Sequence, residues 1–254
     1  MILLSFRKDF TSRLKFSSMP QWQGDPDYLF GKRCLFMIHG YENTAGSAEA
    51  NFANIERGLQ EVGLIGSSGR FDELVGVLWP GHTAPGFWFA EDAADRAAYR
   101  LNSAIASIDP RSVSFVTHSL GARIALRCLS DRILRLFEPG ELVMLAPAVD
   151  DNSLEFGAPY YPERACRTLV CYSRRDEVLN KWYRRFARIL NFNDVALGYS
   201  GPRNPLKCPV SVSCFDGTPY VDSHGAWMTC KEMYAVWARP TWANPATPNL
   251  APAA

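Results

Sequence analysis

Ser119, Asp176 and His224 are side chains of the types that together turn a hydroxyl into a nucleophile. A serine hydroxyl attacks poorly at neutral pH. It needs an imidazole to take its proton, and the imidazole needs a carboxylate to fix its tautomer and stabilise its cation. Ser119 lies in the run Ser-Phe-Val-Thr-His-Ser-Leu-Gly-Ala-Arg, residues 114–123. A β-branched, apolar stretch from Val113 to Thr117 leads into a small-residue turn. A helical pattern of Ala122, Ile124, Ala125, Leu126, Cys128 and Leu129 then starts at once. A serine on such a strand-to-helix turn takes strained backbone geometry and presents its hydroxyl at the sheet edge. It also faces the N–H groups and positive dipole end of the helix. Thr117 departs from the usual Gly-x-Ser-x-Gly spacing and fits only where the opposing strand leaves room for its side chain. The competing view is an ordinary strand-turn-helix with a solvent-facing serine.

The elements that must position these residues alternate along the chain. Strand-like runs cover Ile2 to Arg7, Arg13 to Phe16, Arg33 to Ile38, Leu74 to Trp79, Val113 to Thr117, Glu141 to Leu145, Arg167 to Tyr172 and Pro209 to Phe215. Helical runs cover Ala48 to Val62, Ala90 to Ser107, Gly121 to Phe137, Val178 to Leu190 and Gly225 to Trp237. This βαβα order predicts an α/β fold, a mostly parallel twisted sheet of about eight strands with helices on both faces. The first one or two strands, joined without a helix, are expected at an antiparallel edge. Residues 1–238 read as a single domain. Residues 239–254, rich in Pro and Ala, read as a mobile tail.

Ligands in open α/β sheets bind beyond the carboxyl ends of the strands. Four of those ends carry candidates: His39-Gly40-Tyr41, His118-Ser119, Ser173-Arg174-Arg175-Asp176 and, after a loop, Asp222-Ser223-His224-Gly225. Asp176 has rivals in Asp150 and Asp151, which follow the strand ending at Leu145. Asp222 is too close in sequence to His224 to support its far ring nitrogen. His82 and His118 compete weakly for the role of base. His118 directly precedes the serine, so its side chain is expected to point away.

The chain order serine, acid, histidine resembles that of the α/β-hydrolase superfamily over roughly residues 30 to 238. The segments Ile38-His39-Gly40-Tyr41-Glu42-Asn43-Thr44 and His118-Ser119-Leu120-Gly121-Ala122-Arg123 are similar to a bacterial α/β-hydrolase subgroup of unknown function that also tolerates a small non-glycine residue two before the serine. The resemblance implies an α/β-hydrolase fold and a catalytic constellation but no substrate. It further implies an oxyanion hole from the backbone N–H groups of Tyr41 and Leu120, each donor worth roughly 3 kcal/mol to the transition state. His39 is then structural.

Composition narrows the field further. Of 254 residues, 27 are Lys or Arg and 26 Asp or Glu, a net charge of +1 that gives no reason to expect a nucleic-acid partner or an anionic membrane surface. No apolar run reaches membrane-spanning length, and the first ten residues read as a strand rather than a signal peptide. Seven cysteines without Cys-x-x-Cys spacing read as small buried hydrophobes in a reducing cytoplasm. In an exported protein, Cys166 with Cys208 or Cys214 with Cys230 are the possible pairs. The four histidines lack metal-ligand spacing, and no glycine-rich phosphate loop follows a strand, so neither a metal nor another cofactor is expected.

Only about twenty residues separate the strand ending at Leu145 from the next, too few for a large cap domain. Two other segments are placed to shape the site. The loop from Trp79 to Phe89 is a candidate substrate-binding wall through Trp79, Phe87 and Trp88, or else a staple for the next helix. The loop from Asn191 to Lys207 is long enough for a partial lid. The helix from Val178 to Leu190 carries Lys181, Arg184, Arg185 and Arg188, which reads as a solvated face over a packed one or as a contact for an anionic surface. The expected activity is a serine hydrolase of a small-molecule carboxylic ester or thioester. Acyl transfer by the same residues, or a non-catalytic scaffold used for binding, are the alternatives.

Overall fold

The computed structural model describes residues 1–8, 15–81, 87–158, 165, 167–183 and 195–242. The chain forms β1 (Ile2–Arg7), β2 (Phe16–Gln23), β3 (Arg33–Ile38), α1 (Ala45–Glu61), β4 (Glu73–Leu78), α2 (Phe87–Ile108), β5 (Ser112–His118), α3 (Gly121–Ser130), β6 (Glu138–Leu145), β7 (Arg167–Tyr172), α4 (Leu197–Ser200), β8 (Val212–Asp216) and α5 (Lys231–Trp237). The eight strands make one sheet in the order β2-β1-β4-β3-β5-β6-β7-β8. All neighbours pair in parallel except β1 and β2.

The strand interiors are apolar because helices cover both faces of the sheet. Leu35, Phe36, Met37, Leu142, Val143, Met144, Leu169 and Val170 are fully buried. Helices α2 and α3 pack on each other, while α1 packs against the C-terminal helical segments. Gly58 permits that second contact, since a β-carbon there would stand 2.4 Å from the Tyr234 ring.

Several boundaries differ from the sequence expectation for local reasons. Only β2 lies at the antiparallel edge; β1 runs between β2 and β4, parallel to β4. The second strand covers Phe16–Gln23 rather than Arg13 to Phe16, and it includes Pro20, which an edge strand tolerates because half its N–H groups face away from the ladder. Helix α1 starts early because the Thr44 hydroxyl accepts from the Ser47 N–H at 3.0 Å. The expected helix from Gly121 to Phe137 stops at Ser130. Asp131 turns extended there, and its carboxylate accepts from Ile133 N–H. The expected helix from Gly225 to Trp237 is split at Cys230, whose ψ of 101° breaks the helical path.

The start of the expected tail is held rather than mobile. The Arg167 guanidinium sits 4.2 Å from the Trp242 ring centroid and donates to the Arg239 and Pro240 carbonyls. Residues 243–254 lie outside the described residues. Cys34, Cys128, Cys171, Cys208, Cys214 and Cys230 are free thiols, so Cys214 and Cys230 are not joined. Cys166 lies outside the described residues. Burial pushes the Cys34 thiol up to about 12. Among the described residues, no helix is long and apolar enough to cross a membrane.

Candidate active site

The sheet order reverses between β3 and β5: the chain runs from β3 outward to β4 on one side and from β5 through β6, β7 and β8 on the other. A crevice opens at the carboxyl ends of two strands where such a reversal occurs. The Gly40 to Asn43 loop leaves β3 at this point, and Ser119 leaves β5 beside it.

Ser119 has φ +54°, the left-handed region that a serine enters only when its surroundings hold it there. Its backbone is held by its neighbours: its N–H donates to the carbonyl of Leu145 at the end of β6, and its carbonyl accepts from Ala148, just past β6, and from Ala122 in α3. Ala146, which follows β6 directly, also has a positive φ, +46°. Gly121 lets α3 begin against β3, because a β-carbon there would stand 2.6 Å from the Ile38 carbonyl oxygen. The position of the missing glycine tolerates its side chain. Thr117 is buried between Ile38 and Met144 of the flanking strands, and its hydroxyl has no hydrogen-bond partner among the described residues.

The candidate acid and the candidate base meet. His224 Nδ1 donates to Asp176 Oδ2 at 2.6 Å, and Asp176 Oδ1 accepts from the Leu179 N–H at 3.0 Å. Asp176 is buried, so both oxygens are fixed by these bonds rather than by water. With Nδ1 holding a proton toward the carboxylate, a neutral His224 presents Nε2 as a base. The rival carboxylates are engaged elsewhere. Asp150 Oδ1 accepts from the Tyr183 hydroxyl at 2.5 Å, and Asp151 pairs with Arg203 at 2.6 Å. Asp222 is exposed.

His118 does not point into solvent. Its Nε2 donates to the His224 carbonyl at 2.9 Å, and the two ring centroids are 4.5 Å apart. Ser119, the next residue, is thereby brought to the same corner as His224. No hydrogen bond joins their side chains.

The loop after β3 is braced from below. His39 Nδ1 donates to the Gly40 carbonyl at 2.7 Å. Its Nε2 lies 3.1 Å from Arg7 Nη2 and 3.2 Å from the Trp79 N–H. Both neighbours are donors, so this nitrogen accepts and the ring is neutral. Burial, reinforced by the Arg7 charge, lowers the His39 pKa to about 3. Arg7 also donates to the Asn43 carbonyl at 2.9 Å and to the Trp79 carbonyl at 3.0 Å. Asn43 Nδ2 in turn donates to the Tyr41 carbonyl at 3.1 Å. Gly40, on the loop braced by this cluster, stands against Ser119, and Leu120 follows Ser119 as the N-cap of α3.

Trp79 belongs to that brace and not to an open wall. It is fully buried, its Nε1 donates to the His39 carbonyl at 2.8 Å, and its ring stacks on His39. The side chains of Phe87 and Trp88 and all of residues 82–86, His82 included, lie outside the described residues. So do residues 184–194, and with them most of the basic helix and the start of the lid loop. The described part of that loop is tied down, with Leu197 and Gly198 donating to the Val149 and Pro147 carbonyls.

Sequence reasoning missed Arg7 and Asn43. Arg7 ends an apolar strand, where a charge reads as the exit to solvent; nothing local marks it as buried. Compared with protein-family models and with curated proteins, the sequence matches none.

Proposed function

We propose that the chain is a serine hydrolase of α/β-hydrolase type, acting on carboxylic esters or thioesters. The observation that carries this reading is the pairing of buried Asp176 with half-buried His224 at 2.6 Å, in the same corner as a serine with φ +54° at the head of a helix. A scaffold without chemistry has no need to hold a serine in a strained conformation beside such a pair.

In this reading Ser119 Oγ attacks the acyl carbonyl carbon while His224 Nε2 takes the hydroxyl proton. The C=O π bond opens, and the negative charge on oxygen is met by the Leu120 and Tyr41 N–H groups. Asp176 stabilises the imidazolium. The bond to the leaving oxygen or sulfur breaks as His224 returns the proton to it. Water, deprotonated by the same imidazole, then releases the acid and regenerates Ser119.

The test is turnover of p-nitrophenyl esters of graded chain length by the wild type and by Ser119→Ala. Hydrolysis that the substitution reduces at least about a thousandfold supports the reading. Hydrolysis unchanged in Ser119→Ala contradicts it, and a wild type inert toward every ester moves the weight to a binding scaffold.

A further inference from the structure

We propose that His118 is a positioning residue for His224, pinning the main chain of the base so that its imidazole is aimed at Ser119. The inference rests on the hydrolase reading for its functional meaning, although its structural part stands without it.

His224 lies in the irregular segment between β8 and α5. Upstream, Ser173 Oγ fastens this segment by donating to the Val221 carbonyl at 2.8 Å. Downstream, Ala226 N–H donates to the Ser223 carbonyl at 3.2 Å. At residue 224 itself two bonds act. The side chain is tied to Asp176, and the carbonyl is tied to His118 Nε2 at 2.9 Å. The bond to Asp176 fixes one ring nitrogen but leaves the ring free to swing about that point as the backbone shifts. The bond to His118 removes that freedom, because it holds the backbone from which the ring hangs.

His118 is itself enclosed. It is buried, its backbone belongs to β5, and its ring packs against the His224 ring on one side. On the other side its Nδ1 faces Gly40, 3.2 Å from where a β-carbon would stand. A carbonyl can only accept, so Nε2 carries the proton and Nδ1 is the bare nitrogen. Nδ1 correspondingly has no partner among the described residues. Burial, with the nearby His224 ring as a smaller cause, lowers the His118 pKa to about 3, which keeps it a neutral single donor at neutral pH. The residue before the nucleophile thereby spans the corner between base and oxyanion loop. A misplacement of about 1 Å at such a corner is worth about a hundredfold in rate.

The experiment compares His118→Gln, His118→Asn and His118→Leu. Glutamine carries an N–H near the Nε2 position; asparagine is too short to reach, and leucine has no donor. One readout is the imidazole region of the NMR spectrum, where the His224 Nδ1 proton held by Asp176 resonates far downfield. The other is the kcat and KM split for a p-nitrophenyl ester. We expect the Asn and Leu variants to broaden or lose the His224 proton signal. In them kcat falls by about 10- to 100-fold while KM stays within about threefold, and the Gln variant recovers most of both. A sharp, unshifted His224 signal in Leu and Asn, or a Gln variant as impaired as Leu, overturns the proposal. The spectra report on His224 whether or not an ester is turned over, so an inactive wild type defeats the hydrolase reading without deciding this comparison.

Discussion

Gly40 stands so close to Ser119 that a β-carbon at position 40 would lie 2.7 Å from the serine Cβ, with His118 Nδ1 and the His118 carbonyl oxygen each 3.2 Å away. Real β-carbons do not approach so closely, and none of these neighbours is the tip of a flexible chain. Gly40→Ala must therefore push the loop carrying Tyr41 off Ser119. We expect kcat/KM for ester hydrolysis to fall by about a hundredfold, with the far-UV circular dichroism unchanged. Wild-type kinetics in this variant would show that the loop takes no part.

Asp176 and Asp150 are separated by the same kind of test. Asp176→Asn keeps an oxygen for the Leu179 N–H but no longer favours the Nδ1–H tautomer of His224. The expected loss in kcat is about 10³- to 10⁴-fold at near-normal urea midpoint. Asp150→Asn, whose carboxylate meets Tyr183, is expected to change kcat by no more than about threefold. The reverse ranking would move the acid to the loop after β6.

Thr117 carries a buried hydroxyl with no partner among the described residues. Thr117→Val replaces that oxygen by a methyl of similar size and should stabilise the fold by about 1 kcal/mol. Thr117→Gly restores the usual elbow spacing but removes packed atoms and frees the unfolded chain, for a loss of about 2 kcal/mol. Urea titration of the two variants checks both signs. A more stable glycine variant would mean that the side chain is strained after all.

His39 and His118 both have folded pKa values near 3, lowered chiefly by burial, against about 6.5 in the unfolded chain. Between these values the unfolded chain binds protons that the folded chain refuses. Stability is therefore complete above about pH 6.5 and falls as the pH is lowered toward 3. The slope is about 1.4 kcal/mol per pH unit for each histidine. Urea midpoints at pH 7.5, 6 and 5 test this, and His118→Gln should remove one histidine's share of the slope. A midpoint flat from pH 7.5 to 5 would contradict the buried, neutral state of both rings.

What was legible in the sequence is what depends on local pattern. The apolar runs and the helical periods located most of the strands and helices, and the strand ends then located Ser119, Asp176 and His224. The contact between the last two follows only from chain order, since they stand 48 positions apart. Less legible were features set by tertiary packing. Arg7 looks like a strand terminus in sequence, yet it reaches under the β3 loop to His39 and Asn43. Trp79 looks like the first of several loop aromatics, yet it is sealed against His39. His118 precedes Ser119 on a strand, where alternation leads one to expect its side chain on the other side from the serine. In the structure its ring lies against the Gly40 loop and donates to the His224 carbonyl rather than facing water. Such placements follow from which loops fold back over which strand ends, and no short spacing encodes that.

The central claim is that Ser119 is an activated nucleophile. The most direct measurement is the intact and peptide mass of the protein after exposure to a fluorophosphonate, for the wild type, Ser119→Ala and His224→Ala. The account predicts one adduct per chain, on the peptide containing Ser119, absent in Ser119→Ala and formed at least about a hundredfold more slowly in His224→Ala. Folded wild-type protein that takes up no adduct, or takes it up equally well without Ser119 or His224, would contradict it.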